Sequence, residues 1–77
     1  ILRFSPTAAR WVASEKWHSR QAGYLESDGS YRLTVPYSKE TELVMDILRH
    51  GPDVEVLAPV SLKNRVQEQL AATLAQY

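Results

Sequence analysis

The segment His50-Gly51-Pro52-Asp53-Val54-Glu55-Val56-Leu57-Ala58-Pro59 places a helix stop, a short strand and a helix start within ten residues. Gly51 follows a periodic apolar run. Glycine there enters the left-handed region without a Cβ clash. Pro52 prevents the helix from continuing. Val54 and Val56 alternate with Glu55, which predicts a half-buried strand over Val54–Leu57. Pro59 closes that strand, because proline cannot donate to a ladder. The rest of the chain can be placed around this segment.

Upstream, Ile1–Ser5 alternates, with Leu2 and Phe4 on one face and Arg3 on the other. Ser5-Pro6 is a helix start, with Ser5 at the N-cap and Pro6 at N1. Ala8, Trp11 and Val12 recur at helical spacing, which predicts a helix from Pro6 to Lys16 with Trp11 in the core. Trp17-His18-Ser19-Arg20-Gln21 connects to a second strand, Ala22–Glu26. Ser27-Asp28-Gly29-Ser30 is a hairpin turn. Tyr31, Leu33, Val35 and Tyr37 alternate as a third strand. Ser38 is the expected cap of a second helix, with Glu40 and Glu42 in its first turn, where acids suit the helix dipole. A last helix begins at Pro59 or Ser61. Its Leu62, Val66, Leu70 and Leu74 lie four apart, and Tyr77 extends the stripe. Strand, helix, strand, strand, helix, strand predicts an α+β fold. The expected form is a ferredoxin-like βαββαβ sandwich, an antiparallel sheet with two helices on one face plus a C-terminal helix.

The 77 residues amount to one small domain, which would gain stability from a neighbouring domain or a second copy. Nine Lys+Arg balance nine Asp+Glu, which argues against nucleic-acid binding by bulk charge. Six of the nine cations are Arg, which leaves room for a local phosphate or carboxylate site. Cysteine is absent, so disulfides and thiolate metal sites are excluded. No apolar run approaches the ~18 residues of a membrane span. A start at Ile1, directly in strand-like sequence, marks the chain as an expected segment of a longer protein.

Two groups of residues carry candidate chemistry. In this fold the first and third strands are central neighbours, so Arg3 and Arg32 meet on the open sheet face. Like charges so placed need an anion or a carboxylate between them. Glu55 on the last strand is the expected carboxylate. The functional reading is a phosphate or nucleotide site; the plain reading is a solvated Arg–Glu face. The second group is Trp17, His18, Arg20 and Gln21, able to stack on a base and hydrogen-bond it. The plain reading is that Trp17 plugs the end of the core. His50 at a helix end has a structural reading, and with His18 makes only a weak metal site. Catalytic motifs are missing. An acylphosphatase-like site would need Arg and Asn together, and the one Asn, Asn64, lies in the last helix.

The ordered set Leu2-Arg3-Phe4, Ala8-Ala9-Arg10-Trp11-Val12, Trp17-His18, Gln21, Asp28-Gly29-Ser30, Leu33-Thr34, Glu42-Leu43 and Gly51–Pro59, ending in the Leu62–Tyr77 helix, resembles a known family. It is similar to the C-terminal extension (WCX) of WYL-domain bacterial transcriptional regulators, over essentially residues 1–77. Met45 departs from the pattern, standing where a Trp is expected. The resemblance implies a non-catalytic, cofactor-free regulatory domain in a cytoplasmic DNA-binding protein. The implied partners are a second subunit, with the parent a homodimer, and a nucleotide or single-stranded nucleic-acid effector. DNA would be bound by an upstream winged helix-turn-helix not contained in these residues. The alternative is a protein-interaction module without a ligand.

Overall fold

A computed structural model describes residues 1–77. Its elements run β1 (Leu2–Phe4), α1 (Pro6–Val12), β2 (Ala22–Leu25), β3 (Tyr31–Thr34), α2 (Glu40–Arg49), β4 (Val54–Val56) and α3 (Val60–Leu74). One antiparallel sheet has the order β2-β3-β1-β4, the ferredoxin-like arrangement. Leu2, Phe4, Leu33 and Val56 point to one face and are buried there with Ala8, Val12, Ile47 and Leu62. The opposite face is open.

Local chemistry sets the boundaries. Ser5 caps α1, its hydroxyl accepting the Ala8 N–H at 3.2 Å. Gly51 has φ 58° and opens a 3-10 turn over Gly51–Asp53. That turn is clasped to the start of α1: Ser5 N–H donates to the Asp53 carbonyl at 2.8 Å, and Ser5 Oγ donates to Asp53 Oδ1 at 2.9 Å. The β2–β3 hairpin closes with Gly29 N–H donating to the Glu26 carbonyl and Glu26 N–H to the Ser30 carbonyl. Gly29, at φ 93°, supplies the left-handed residue of this three-residue loop.

Several expectations are corrected. Helix α1 ends at Val12, not Lys16. Beyond Val12 there is no apolar stripe, and Ser14 turns back to the Trp11 carbonyl through both its N–H and its hydroxyl. Trp11 is 48% exposed. The buried stripe of so short a helix is Ala8, Ala9 and Val12, and Trp11 lies off its edge. Trp17 fills the aromatic position instead. Strand β3 stops at Thr34, two residues before Pro36, which has no N–H to give. Lys39, not Ser38, is the N-cap of α2, with no side-chain cap. The α3 row divides: Leu62 and Val66 are buried, while Leu70, Leu74 and Tyr77 are exposed. Fifteen residues make α3 about 22 Å long, against about 15 Å for the ten residues of α2 it packs on. The last turns therefore overhang.

Candidate functional site

Register places Tyr24, Arg32, Arg3 and Glu55 in one line across the open face of the four strands. Arg3 and Arg32 are direct cross-strand neighbours. The carboxylate between them is Glu26: Arg3 Nε lies 3.5 Å from Oε1 and Arg32 Nη2 lies 3.4 Å from Oε2. Asp28 adds a third contact, Oδ2 to Arg3 Nη2 at 3.6 Å. Glu55, the expected partner, sits opposite Arg3 but is exposed and forms no ion pair. The hairpin turn explains the exchange. It keeps Glu26 on the same face as Tyr24 and brings Asp28 over the sheet edge. Asp28 is held below the ordinary carboxylate value of 3.8, chiefly by the Ser30 N–H, with help from the Ser30 hydroxyl and Arg3. Its Oδ1 accepts that N–H at 2.9 Å.

The connector is equally ordered, by different means. Gln21 clamps it: Oε1 accepts the Trp17 and His18 N–H groups, and Nε2 donates to the Glu15 carbonyl at 3.0 Å. Every polar atom of the Gln21 amide is thus engaged with the backbone. Trp17 stacks on His50, with centroids 5.4 Å apart, and meets Phe4 edge-on at 5.7 Å. His50 is fixed by Nδ1 at 3.0 Å from the Asp46 carbonyl, and its Nε2 lies 4.0 Å from a Glu15 carboxylate oxygen. His18 Nδ1 accepts the Arg20 N–H at 2.9 Å. The hydrogen of a neutral His18 therefore sits on Nε2.

Across from the connector lies the β3–α2 loop, Val35 to Lys39. A cleft of about 160 Å³ between them is lined by Trp17, His18, Val35, Tyr37 and Lys39, with the carboxylates of Glu42 and Asp46 on its α2 side. It opens into a shallower hollow of about 510 Å³ that adds Ser19 and Arg20 and shares His18, Pro36, Tyr37 and Ser38. Neither Arg20 nor Lys39 forms an ion pair. The fold therefore brings Arg3 and Arg32 together and sets His18 and Arg20 against Tyr37 and Lys39. It keeps the two groups at separate places. Sequence reading missed Tyr37, Ser38 and Lys39 as cleft residues, because nothing local says that a loop will face another loop. The outward face of Glu26 is readable from the parity it shares with Tyr24, but its pairing with the two arginines is not. No group of three His, Asp or Glu residues is arranged to hold a metal ion. No helix is long and apolar enough to cross a membrane.

Residues 1–74 match the WCX domain model. The chain belongs to the WCX domain family. Over 76 residues it is 37% identical to protein PafC of Mycobacterium tuberculosis (strain CDC 1551 / Oshkosh), covering 99% of this chain and 23% of that protein. Protein PafC of Mycobacterium leprae (strain TN) is 33% identical over 78 residues, with 94% of this chain and 24% of that protein covered. This WCX domain thus spans about a quarter of the length of the curated relatives it matches. That membership points to a regulatory, non-enzymatic role.

Proposed function

We propose that this WCX domain senses an effector for a cytoplasmic, homodimeric WYL-type regulator that holds DNA through an upstream winged helix-turn-helix. The effector is a nucleotide or a single-stranded nucleic acid, and it lodges in the cleft between the connector and the β3–α2 loop. What carries the reading is the pair of unanswered cations, Arg20 and Lys39, beside the Tyr37 ring and the His18 imidazole. Phosphate suits the cations and a base suits the ring. His18 and Arg20 face the ligand, while Trp17 and Gln21 hold the connector in shape. Arg3 and Arg32 take an anion only by displacing Glu26. Exposed Leu70, Leu74 and Tyr77 favour a second reading, a protein-interaction module without ligand.

Titration with a short single-stranded oligonucleotide, read by tryptophan fluorescence, separates the two. Saturable binding is expected, weakened at least about tenfold by Arg20→Ala with Lys39→Ala. Arg32→Glu is expected to leave it within about twofold. No binding favours the interaction module. A larger loss from Arg32→Glu than from the cleft pair moves the effector to the sheet face.

A further inference from the structure

The two edges of the sheet are built differently. Edge strand β4 is short and closed to further pairing. It has three residues, with Glu55 at its centre, Pro52 just before it and Pro59 just after. Charge and proline on an edge block a further strand. Edge strand β2 has neither. Ala22-Gly23-Tyr24-Leu25 is uncharged and exposed throughout, with Tyr24 at 57% and Leu25 at 64%. The hairpin fixes which groups are free. Glu26 bonds inward to Ser30, so by the alternation of an antiparallel ladder Gly23 and Leu25 direct their N–H and C=O groups outward. Gly23 itself is locked in place, since a Cβ there would overlap the Tyr31 ring that lies across it.

The ends of the strand carry opposite charge. Arg20, without an ion pair, precedes β2, and Glu26 and Asp28 follow it. Glu26 is engaged by Arg3 and Arg32, but Asp28 stays more than half exposed and meets Arg3 through Oδ2 alone. A strand with a free cation at its start and an open carboxylate at its end is complementary to an antiparallel copy of itself. We propose that β2 pairs antiparallel with β2 of a second copy of this chain, across a two-fold axis at Tyr24, to make one continuous eight-stranded sheet. Gly23 of each copy then exchanges two hydrogen bonds with Leu25 of the other, four in all. The two Tyr24 rings face each other as a non-hydrogen-bonded pair, where side chains approach closest. Each Arg20 comes to the Glu26–Asp28 end of the other copy, which it answers when the cleft holds no phosphate. Such an isologous contact closes on itself and leaves both β4 edges outside, where they are already blocked. The interface rests on the assembly half of the reading above and gives it a surface. Four residues a side make it a small contact, at the weak end of specific interfaces.

A chain without cysteine permits a clean test. In the pairing proposed, residues at position 24 have Cα atoms about 4.5 Å apart, within disulfide range. Tyr24→Cys is expected to oxidise to a covalent dimer. Leu74→Cys, on the exposed end of α3, is expected to remain mostly monomeric. Leu25→Pro removes two of the four intermolecular N–H donors and no bond within the monomer. Sedimentation across a wide concentration range should then show at least about tenfold weaker dimerisation, with the circular dichroism spectrum unchanged. If Leu25→Pro alters that spectrum, the cysteine pair decides alone. A dimer that survives Leu25→Pro and is trapped through Leu74→Cys overturns the edge pairing and leaves the assembly reading standing. A chain that stays monomeric at every concentration, with neither cysteine trapped, overturns both.

Discussion

Arg3 and Arg32 sit on adjacent strands, whereas Arg20 and Lys39 sit on two loops. On the sheet, register decides the neighbours, and the backbone ladder forces two guanidinium groups side by side. That juxtaposition is tolerable only with a carboxylate between them, and Glu26 is there. On the loops nothing compels a counter-charge: Glu42 and Asp46 line the same cleft, yet neither Arg20 nor Lys39 pairs with a carboxylate. Cations whose positions are set by backbone pairing become part of the structure. Cations carried on a clamped loop keep their charge free for an outside partner.

The sharpest way to break this contrast is to remove what holds the connector. Trp17→Ala deletes the stack on His50 and Phe4 and is expected to cost about 3 kcal/mol by thermal or urea unfolding. Resonances of the connector and cleft should broaden or shift, while those of Arg3 and Arg32 hold. Equal disturbance of both regions would show them to be one unit. Glu26→Ala attacks the other side. It leaves Arg3 beside Arg32 without their shared carboxylate. With both side chains about a third exposed, the loss should be no more than ~1 kcal/mol, shrinking as salt is added. A loss independent of salt would mean that packing, not charge, is what Glu26 supplies. The smallest effect is expected from Asp28→Asn. A carboxylate whose folded pKa lies below its unfolded value of 3.8 adds stability above that value and loses it as pH falls through the lower, folded pKa. Wild type and variant should therefore differ in the neutral range and converge in acid. Curves that stay parallel down to the acid limb would assign the difference to turn geometry alone.

Much of this arrangement is legible from period-two parity. Leu2, Phe4, Leu33 and Val56 had to share a face, which puts Arg3, Arg32 and Glu55 on the other. Strand order then follows from the split βαβ pattern. Charge partnership does not follow, because it depends on how a three-residue loop curls: Glu26 outcompetes Glu55 through turn geometry that parity does not encode. Trp11 and Trp17 show the same limit. Helical spacing marks Trp11 as core, but the helix ends one residue later, and the indole that packs against the core, partly buried, arrives from the connector. The inner half of the Leu62–Leu74 row was readable as buried. How far the helix outruns its neighbour depends on relative lengths that only the assembled fold reveals.

The clasp between Ser5 and Asp53 joins residues 48 positions apart, at the meeting point of β1, α1 and the turn before β4. Local fraying of the hairpin or of the overhanging end of α3 leaves it untouched. The Ser5 amide is expected to exchange its proton with solvent only when the first and last strands part, so that N–H gauges the opening of the β1–β4 pair. Against it the slower or faster exchange of every other amide can be ranked.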